Sequence, residues 1–290
     1  MIDCLVVFND QAVDFCKGLL KIKMNMKKIL FTRLLTVLIV LYLPLQSMAW
    51  GMLGHRIVGE IADQYLTKKA RKGIAAILGN ESVAMSSNWA DFIKSDPAYN
   101  YLSNWHYINI VSGKTEQQVI QLLEADTAVN AYTKIIFLTN ELKKKEVPQT
   151  DKILYLRMLI HLVGDVHQPL HVGRPEDLGG NRIKVLWFNE SKNLHQVWDD
   201  ALISSQKLSY TEYAKAINFV SKAQRKDLQQ QRPSFWLYDS YLIAEKIYAD
   251  VKAPDEKLGY EYNFKYKAIA EEQMLKGGVR LAGLLNEIFR

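Results

Sequence analysis

The stretch His161-Leu162-Val163-Gly164-Asp165-Val166-His167-Gln168-Pro169-Leu170-His171 puts three imidazoles and one carboxylate into eleven residues. Leu156, Leu159 and Val163 recur at helical spacing, so the stretch reads as the end of a helix that Pro148 and Thr150 introduce. Pro169 lacks an N–H and crowds the residue before it, which stops the helix and leaves His171 just past its end. His161 and Asp165 are four residues apart and share one helix face.

Helical periodicity continues on both sides. Ile57, Val58, Ile61, Ala62 and Tyr65 recur at helical spacing after Gly54. Ser86 or Ser87 is the expected cap of a short helix carrying Trp89 to Ile93. Thr115 opens a long helical stretch through Leu122, Leu123 and Ile135 to about Lys145. Later helices are expected over about Thr211 to Lys222, Ser234 to Val251 and Phe264 to Glu287. Ile183 to Phe188 alternates and predicts one arm of a small β-hairpin. No repeat or long linker divides these segments. The expectation is a single all-α, mainly helical domain over residues 50–290, with that hairpin as its one departure.

Residues 1–49 read differently. Lys27, Lys28 and Arg33 precede an uncharged run from Leu34 to Leu43, and Ser47-Met48-Ala49 follows with small residues at its first and third positions. That order predicts a secretory signal peptide cleaved after Ala49. The run is too short to span a bilayer comfortably, which argues against a membrane anchor. Asp3, Asp10 and Asp14 are unusual ahead of such a signal, and Met24 or Met26 is an alternative start. Cys4 and Cys16 are the chain's two cysteines. Residues 50–290 therefore have neither disulfides nor thiolate ligands, and their stability must come from a large core, from metals, or from both. The whole chain has 37 basic and 31 acidic residues; the first 49 hold six and three of them, which leaves 31 and 28. That mild positive bias neither requires nor excludes a polyanionic substrate.

The six histidines are His55, His106, His161, His167, His171 and His195. His195 and Asp199 repeat the His-x3-Asp spacing, and Trp89-Ala90-Asp91 and Trp105-His106 add a carboxylate and an imidazole. Zinc takes three or four ligands from neutral imidazoles and carboxylates, and these residue types fit. One such pair is commonly a surface hydrogen bond, but two pairs with a third dense cluster point to a folded site. A store of loosely bound metal goes with a His-rich tract, whereas these histidines are spread from 55 to 195.

Several motifs, in this order, carry a resemblance. They are Trp50-Gly51-x-x-Gly54-His55, Trp89-Ala90-Asp91, Trp105-His106, the 161–171 stretch, Gly179-Gly180-Asn181, and Leu194-His195-x-x-Trp198-Asp199. The chain resembles the S1/P1 nuclease family of zinc-dependent nucleases, and more distantly the bacterial zinc phospholipases C. The resemblance covers residues 50–290 and implies three zinc ions. Asp91, His106, His161 and Asp165 would hold one. His171, His195 and Asp199 would hold the second. His55, Asp165, and the amino nitrogen and carbonyl oxygen of Trp50 would hold the third, so that Asp165 bridges two ions. It leaves His167 to a hydrogen-bonded place in the core.

The resemblance further implies endonucleolytic hydrolysis of single-stranded DNA and RNA to 5′-phosphate ends, with 3′-nucleotidase activity as a companion. Asp91 and Asp165 would be catalytic, and Lys94 would meet the scissile phosphate. Tyr107, Asn109 and Asn181 would contact substrate; Asn109 stands where some members carry Asp, which leaves base preference open. Trp187 and Phe188 either line a pocket or pack in the core. The product is expected to be a monomer, secreted or periplasmic and bacterial, with no membrane association after cleavage. Asn80-Glu81-Ser82 and Asn189-Glu190-Ser191 match a glycosylation pattern, but the basic signal and the missing cysteines argue against glycans. Two rivals stay open. A phospholipase C generally places Glu after the last ligand histidine, where this chain has Asp199. A non-catalytic zinc protein needs a closed ligand sphere, and this ligand set leaves room for water.

Overall fold

Thr67, Thr115, Asn130, Ser209 and Ser221 each turn a side-chain oxygen onto a backbone N–H of the helical turn that follows, and these caps set where the helices begin. The computed structural model describes residues 50–251 and 254–290; the expected signal peptide, its cleavage point and both cysteines lie outside the described residues. Among helices of eight residues or more, α1 is Met52–Gln64, α2 Lys68–Leu78, α3 Glu116–Ala125, α4 Ala131–Lys143, α5 Gln149–Asp165, α6 Tyr210–Ile217, α7 Lys222–Gln230, α8 Pro233–Asp250 and α9 Tyr260–Ile288. The fold is mainly helical, as expected. No helix among the described residues is long and apolar enough to cross a membrane.

Three helix boundaries differ from the reading above, each for a local reason. The stretch from Thr115 is two helices, because Asp126 leaves α3 in an extended conformation. Its carboxylate accepts from Ala128 N at 2.8 Å and Asn130 Nδ2 at 2.7 Å, an alternative to continuing the helix. The stretch from Thr211 ends at Ile217, and Ser221 opens a new helix. Ser86 and Ser87 do not cap the Trp89–Phe92 turn. They close the preceding turn, which Ser82 caps, and their hydroxyls bond back to Val83 and Ala84 carbonyls.

The hairpin is present and has a third partner. Strand β1, Lys184–Trp187, pairs antiparallel with β2, Glu190–Asn193, in the register Trp187↔Glu190. Phe188 and Asn189 turn the chain at φ 49° and 69°, the left-handed pair that a two-residue hairpin requires. Strand β3, Glu256–Leu258, runs parallel to β1 on its other edge.

The core positions the site. α9 packs along α1, and α1 turns His55, Ile57, Val58, Ile61 and Ala62 inward. Leu156 and every residue from Met158 to Asp165 are buried, so the last two turns of α5 are enclosed on all sides. A helix end so enclosed normally carries apolar residues only, and this one delivers His161 and Asp165 into the interior.

Candidate metal centre

Eight polar side chains converge at the enclosed end of α5. His161 and Asp165 come from α5 and His55 from α1, while Asp91 comes from the Trp89–Phe92 turn. His106 follows the 3₁₀ run Pro97–Trp105, and His171 lies in the 3₁₀ turn Pro169–Val172. His195 lies in the turn Leu194–Gln196, and Asp199 in the π-helical turn Val197–Ala201. Widened turns of this type recur at functional sites. Three groups result: His55, His161 and Asp165; Asp91, His106 and His161; His171, His195 and Asp199. Within each group one donor atom per residue lies within 4.8 Å of the others, and every member is buried.

Asp165 is the hub. Its Oδ1 lies 3.3 Å from His55 Nε2, and its Oδ2 lies 3.0 Å from His106 Nδ1 and 3.3 Å from His161 Nε2. The His55 and His161 rings stack at 3.9 Å. Asp91 Oδ1 is 3.8 Å from His161 Nε2. In the third group, Asp199 Oδ2 is 3.3 Å from His195 Nε2, and Oδ1 is 3.8 Å from His171 Nε2.

Backbone carbonyls aim three of the rings. His161 Nδ1 donates to Ser87 O, His171 Nδ1 to His106 O, and His195 Nδ1 to Gly179 O, each at 2.6 Å. A carbonyl only accepts, so the proton sits on Nδ1 and the Nε2 lone pair faces the carboxylates, the arrangement that metal-ligating imidazoles use. Gly179 reaches His195 from φ 63°, with its α-carbon so close to Leu170 O that a Cβ would lie 2.3 Å away. His167 differs: Nδ1 donates to Val163 O at 2.7 Å and Nε2 accepts from Arg280 Nη1 at 3.0 Å, so both nitrogens are used within the core.

The donor set fits metal ions. Among the described residues, nine buried side-chain polar atoms lack a hydrogen-bond partner, and six are here: His55 Nδ1 and Nε2, Asp91 Oδ2, His106 Nε2, Asp165 Oδ1 and His171 Nε2. Buried polar atoms are ordinarily paired, so their concentration at one place requires a cause, and cations would pair them. Burial lowers the imidazoles of His106, His161, His171 and His195, that of His161 to about 3, so they are neutral at neutral pH as ligands must be. Burial works against the charge of Asp91, but His161 and Lys94 outweigh it and hold the carboxyl at about 2. Burial pushes Asp199 up to about 8 against the opposing pull of His195 and Gln168.

These shifts fix a pH dependence for the chelated protein. An unfolded histidine takes a proton near its ordinary 6.5, whereas His106, His161, His167, His171 and His195 resist it when folded. Below about pH 6.5 the unfolded chain binds more protons, so stability rises with pH. Asp199 has the opposite sign: its raised carboxyl loses its contribution as pH climbs from about 4 to about 8. Five imidazoles outweigh one carboxyl. In chelator, the melting temperature is expected to rise between about pH 5 and 6.5 and to decline slightly above. A melting temperature that falls over that first interval would contradict the assignment.

Gly164 explains a small residue inside the α5 stretch. A Cβ there would lie 2.6 Å from His55 Nδ1. Gly164→Ala is expected to lose about 1–3 kcal/mol of stability through overpacking, measured by urea unfolding in chelator. An unchanged midpoint would show that the His55 ring has room to move.

The remaining candidates lie nearby or in the supporting loops. Trp50 is fully buried with its indole against Gly54, and Gly51 N donates to Asp199 O at 2.6 Å. Lys94 Nζ pairs with Asp91 Oδ1 at 2.6 Å. Tyr107 is exposed and its hydroxyl donates to Asn104. Asn109 is half-buried between Ile108 and Ile110, whose N–H groups bond to His171 O and Gly173 O. Asn181 is half-buried, with its amide bonded to Leu178 O at 2.9 Å. Trp187 is buried in the core, and Phe188 stays partly exposed against Tyr260. The carbonyls of Ser87, His106 and Gly179 leave no trace in a sequence. Gln168, whose amide donates to Asp199 Oδ1 at 2.5 Å, stands inside the quoted motif as a polar residue between ligand positions.

A mainly helical fold around buried, carbonyl-oriented His/Asp groups defines a protein built to hold metal ions. The profile of the S1/P1 nuclease family matches residues 50–290, and the chain belongs to that family. It is 28% identical to Endonuclease 3 of Arabidopsis thaliana, over 88% of this chain and 94% of that protein. It is 27% identical to Nuclease S1 of Aspergillus oryzae, over 82% and 91% of the two chains. It is 26% identical to Nuclease P1 of Penicillium citrinum, over 82% and 97%. The chain is thus a nuclease, a hydrolase of nucleic-acid phosphodiesters.

Proposed function

We propose that the chain is an exported, monomeric, zinc-dependent endonuclease. It would hydrolyse single-stranded DNA and RNA to 5′-phosphate products and also dephosphorylate 3′-nucleotides. The observation that carries this reading is the pair of His-x3-Asp helix faces buried around Asp165 and Asp199, with their imidazole Nε2 atoms turned inward by backbone carbonyls.

Asp91, His106, His161 and Asp165 would hold one zinc; His171, His195 and Asp199 would hold a second. His55 and Asp165, together with the amino nitrogen and carbonyl oxygen of Trp50, would hold a third. The reach of Asp165 to His55, His106 and His161 supports its bridging place. When bound, zinc makes water acidic enough to attack phosphorus near neutral pH and offsets charge on the phosphoryl oxygens.

The protein residues do the rest. Asp91 stays ionised and orients the attacking water. Lys94, neutralised by Asp91 at 2.6 Å in the free enzyme, turns its ammonium toward the equatorial oxygens of the phosphate. Tyr107 offers an exposed ring for a base to stack on, a contact that tolerates any base, and Asn109 and Asn181 would add polar contacts to substrate. A duplex is the poorer substrate, because its phosphate must enter a concave, buried cluster. Residues 1–49 act as an export signal whose removal frees the Trp50 amine in the periplasm or the medium.

The test incubates protein beginning at Trp50 with denatured DNA, RNA and a phosphatidylcholine emulsion, before and after chelation and zinc return. Nucleic-acid cleavage that chelator abolishes and zinc restores is expected. Lipid hydrolysis without nucleic-acid cleavage would move the chain to the phospholipase reading, and no turnover of any substrate would leave the groups structural.

A further inference from the structure

We propose that Gln168 is a positioning residue, which holds one oxygen of Asp199 so that the carboxylate stays aimed at His171 and His195, and so sets metal affinity at that group alone. The inference rests on the metal-holding reading above and adds to it a residue outside the ligand set.

Gln168 is fully buried, and both ends of its amide are used. Its Oε1 accepts from Leu170 N at 2.5 Å, and its Nε2 donates to Asp199 Oδ1 at 2.5 Å. The Leu170 N–H can only donate, so it fixes which end of the amide is oxygen and turns the NH₂ toward Asp199. Asp199 Oδ2 is left 3.3 Å from His195 Nε2. The backbone of the same residue joins the neighbouring groups: Gln168 N donates to Asp165 O at 2.9 Å, and His171 N donates to Gln168 O at 3.0 Å. One residue therefore touches Asp165, His171 and Asp199.

The support behind it is rigid. Ser240 Oγ on α8 donates to Val166 O at 2.5 Å. Gln273 Nε2 on α9 donates to His167 O at 3.2 Å, and Arg280 Nη1 donates to His167 Nε2. Two long helices thus fasten the 166–168 turn from outside the site. Asp199 sits on a π turn that Gly51 N fastens through the Asp199 carbonyl, so its carboxylate is aimed by the side chains that touch it, Gln168 and His195. The chemistry of the donor also fits. A lysine or arginine here would neutralise Asp199 and compete with a cation, whereas an amide orients the carboxylate and leaves its charge for the metal. Hydrogen bonds of this kind to metal ligands are worth about 10–100-fold in affinity.

The test measures zinc affinity by competition with a chromophoric chelator, on protein beginning at Trp50. Wild type, Gln168→Leu, Gln168→Asn, Asp199→Ala and the Gln168→Leu/Asp199→Ala double variant are compared. Gln168→Leu is expected to weaken one zinc equivalent about 10–100-fold and leave the others unchanged. In the Asp199→Ala background the same change is expected to add nothing, because its target is gone. Should Gln168→Leu not fold, Gln168→Asn makes the comparison, since it is one methylene too short to reach Asp199. Unchanged affinity in Gln168→Leu and Gln168→Asn, or additive losses in the double variant, would assign Gln168 to the Leu170 turn alone and overturn the proposal while the metal-holding reading stands. A wild type that binds no zinc would overturn both.

Discussion

Asp165→Asn is expected to lower hydrolysis of denatured DNA by about a thousandfold or more, equivalent to about 4 kcal/mol of barrier. Asp165 is fully buried and lies within 3.3 Å of three imidazoles, those of His55, His106 and His161. Its charge is tolerated in the interior only because positive or hydrogen-bonding groups surround it. Burial works against the Asp165 charge, but His161, His106 and His55 outweigh it and hold the carboxyl well below the usual carboxylate range, so Asn, which keeps the shape and removes the charge, should cost the metal-free protein some stability at neutral pH. The wild type should gain melting temperature on adding zinc, and the variant should gain much less. Activity and zinc-induced stabilisation are thus expected to fall together. A variant that keeps a tenth of the activity would remove Asp165 from the centre of the mechanism.

Retention of a single residue, Ala49, ahead of Trp50 is expected to cost about a hundredfold in activity and one zinc equivalent. A free α-amine titrates near pH 8 and has a lone pair to give, while an amide nitrogen has none available. The start of the described chain is well placed to matter: Trp50 is fully buried, and the next residue bonds to the backbone of Asp199 at 2.6 Å. The measurement compares two preparations that differ only in that residue, by zinc analysis and by turnover of denatured DNA. Equal zinc content and equal turnover would detach export processing from activation. The wild-type preparation must have its N-terminus confirmed by mass, since a mixture would imitate a partial effect.

The quoted stretch from His161 to His171 made much of the site legible, because a helix end rich in imidazole and carboxylate has few uses in an apolar core. His195 and Asp199 were legible through the same spacing, although the π turn that carries Asp199 was not. Single-residue contributors from distant segments, Asp91 and His106, became candidates through the family resemblance more than through any local pattern. Helix boundaries were misread where a short side chain competed with the backbone, as at Asp126 and at Ser86 and Ser87. Strand β3 was missed because Glu256-Lys257-Leu258 is short, is mostly charged, and gains its conformation only by pairing with β1. The carbonyls that orient His161, His171 and His195 belong to backbone 16 to 74 residues away in sequence, so residue type cannot reveal them.

On the proposed function, hydrolysis depends on zinc held by these buried His/Asp groups. The most direct measurement is elemental analysis of protein beginning at Trp50, with turnover of denatured DNA followed as zinc is withdrawn stepwise by a chelator and then returned. Three zinc ions per chain are expected, with activity that falls as they leave and recovers when they return. Full activity in protein stripped of metal would contradict that dependence.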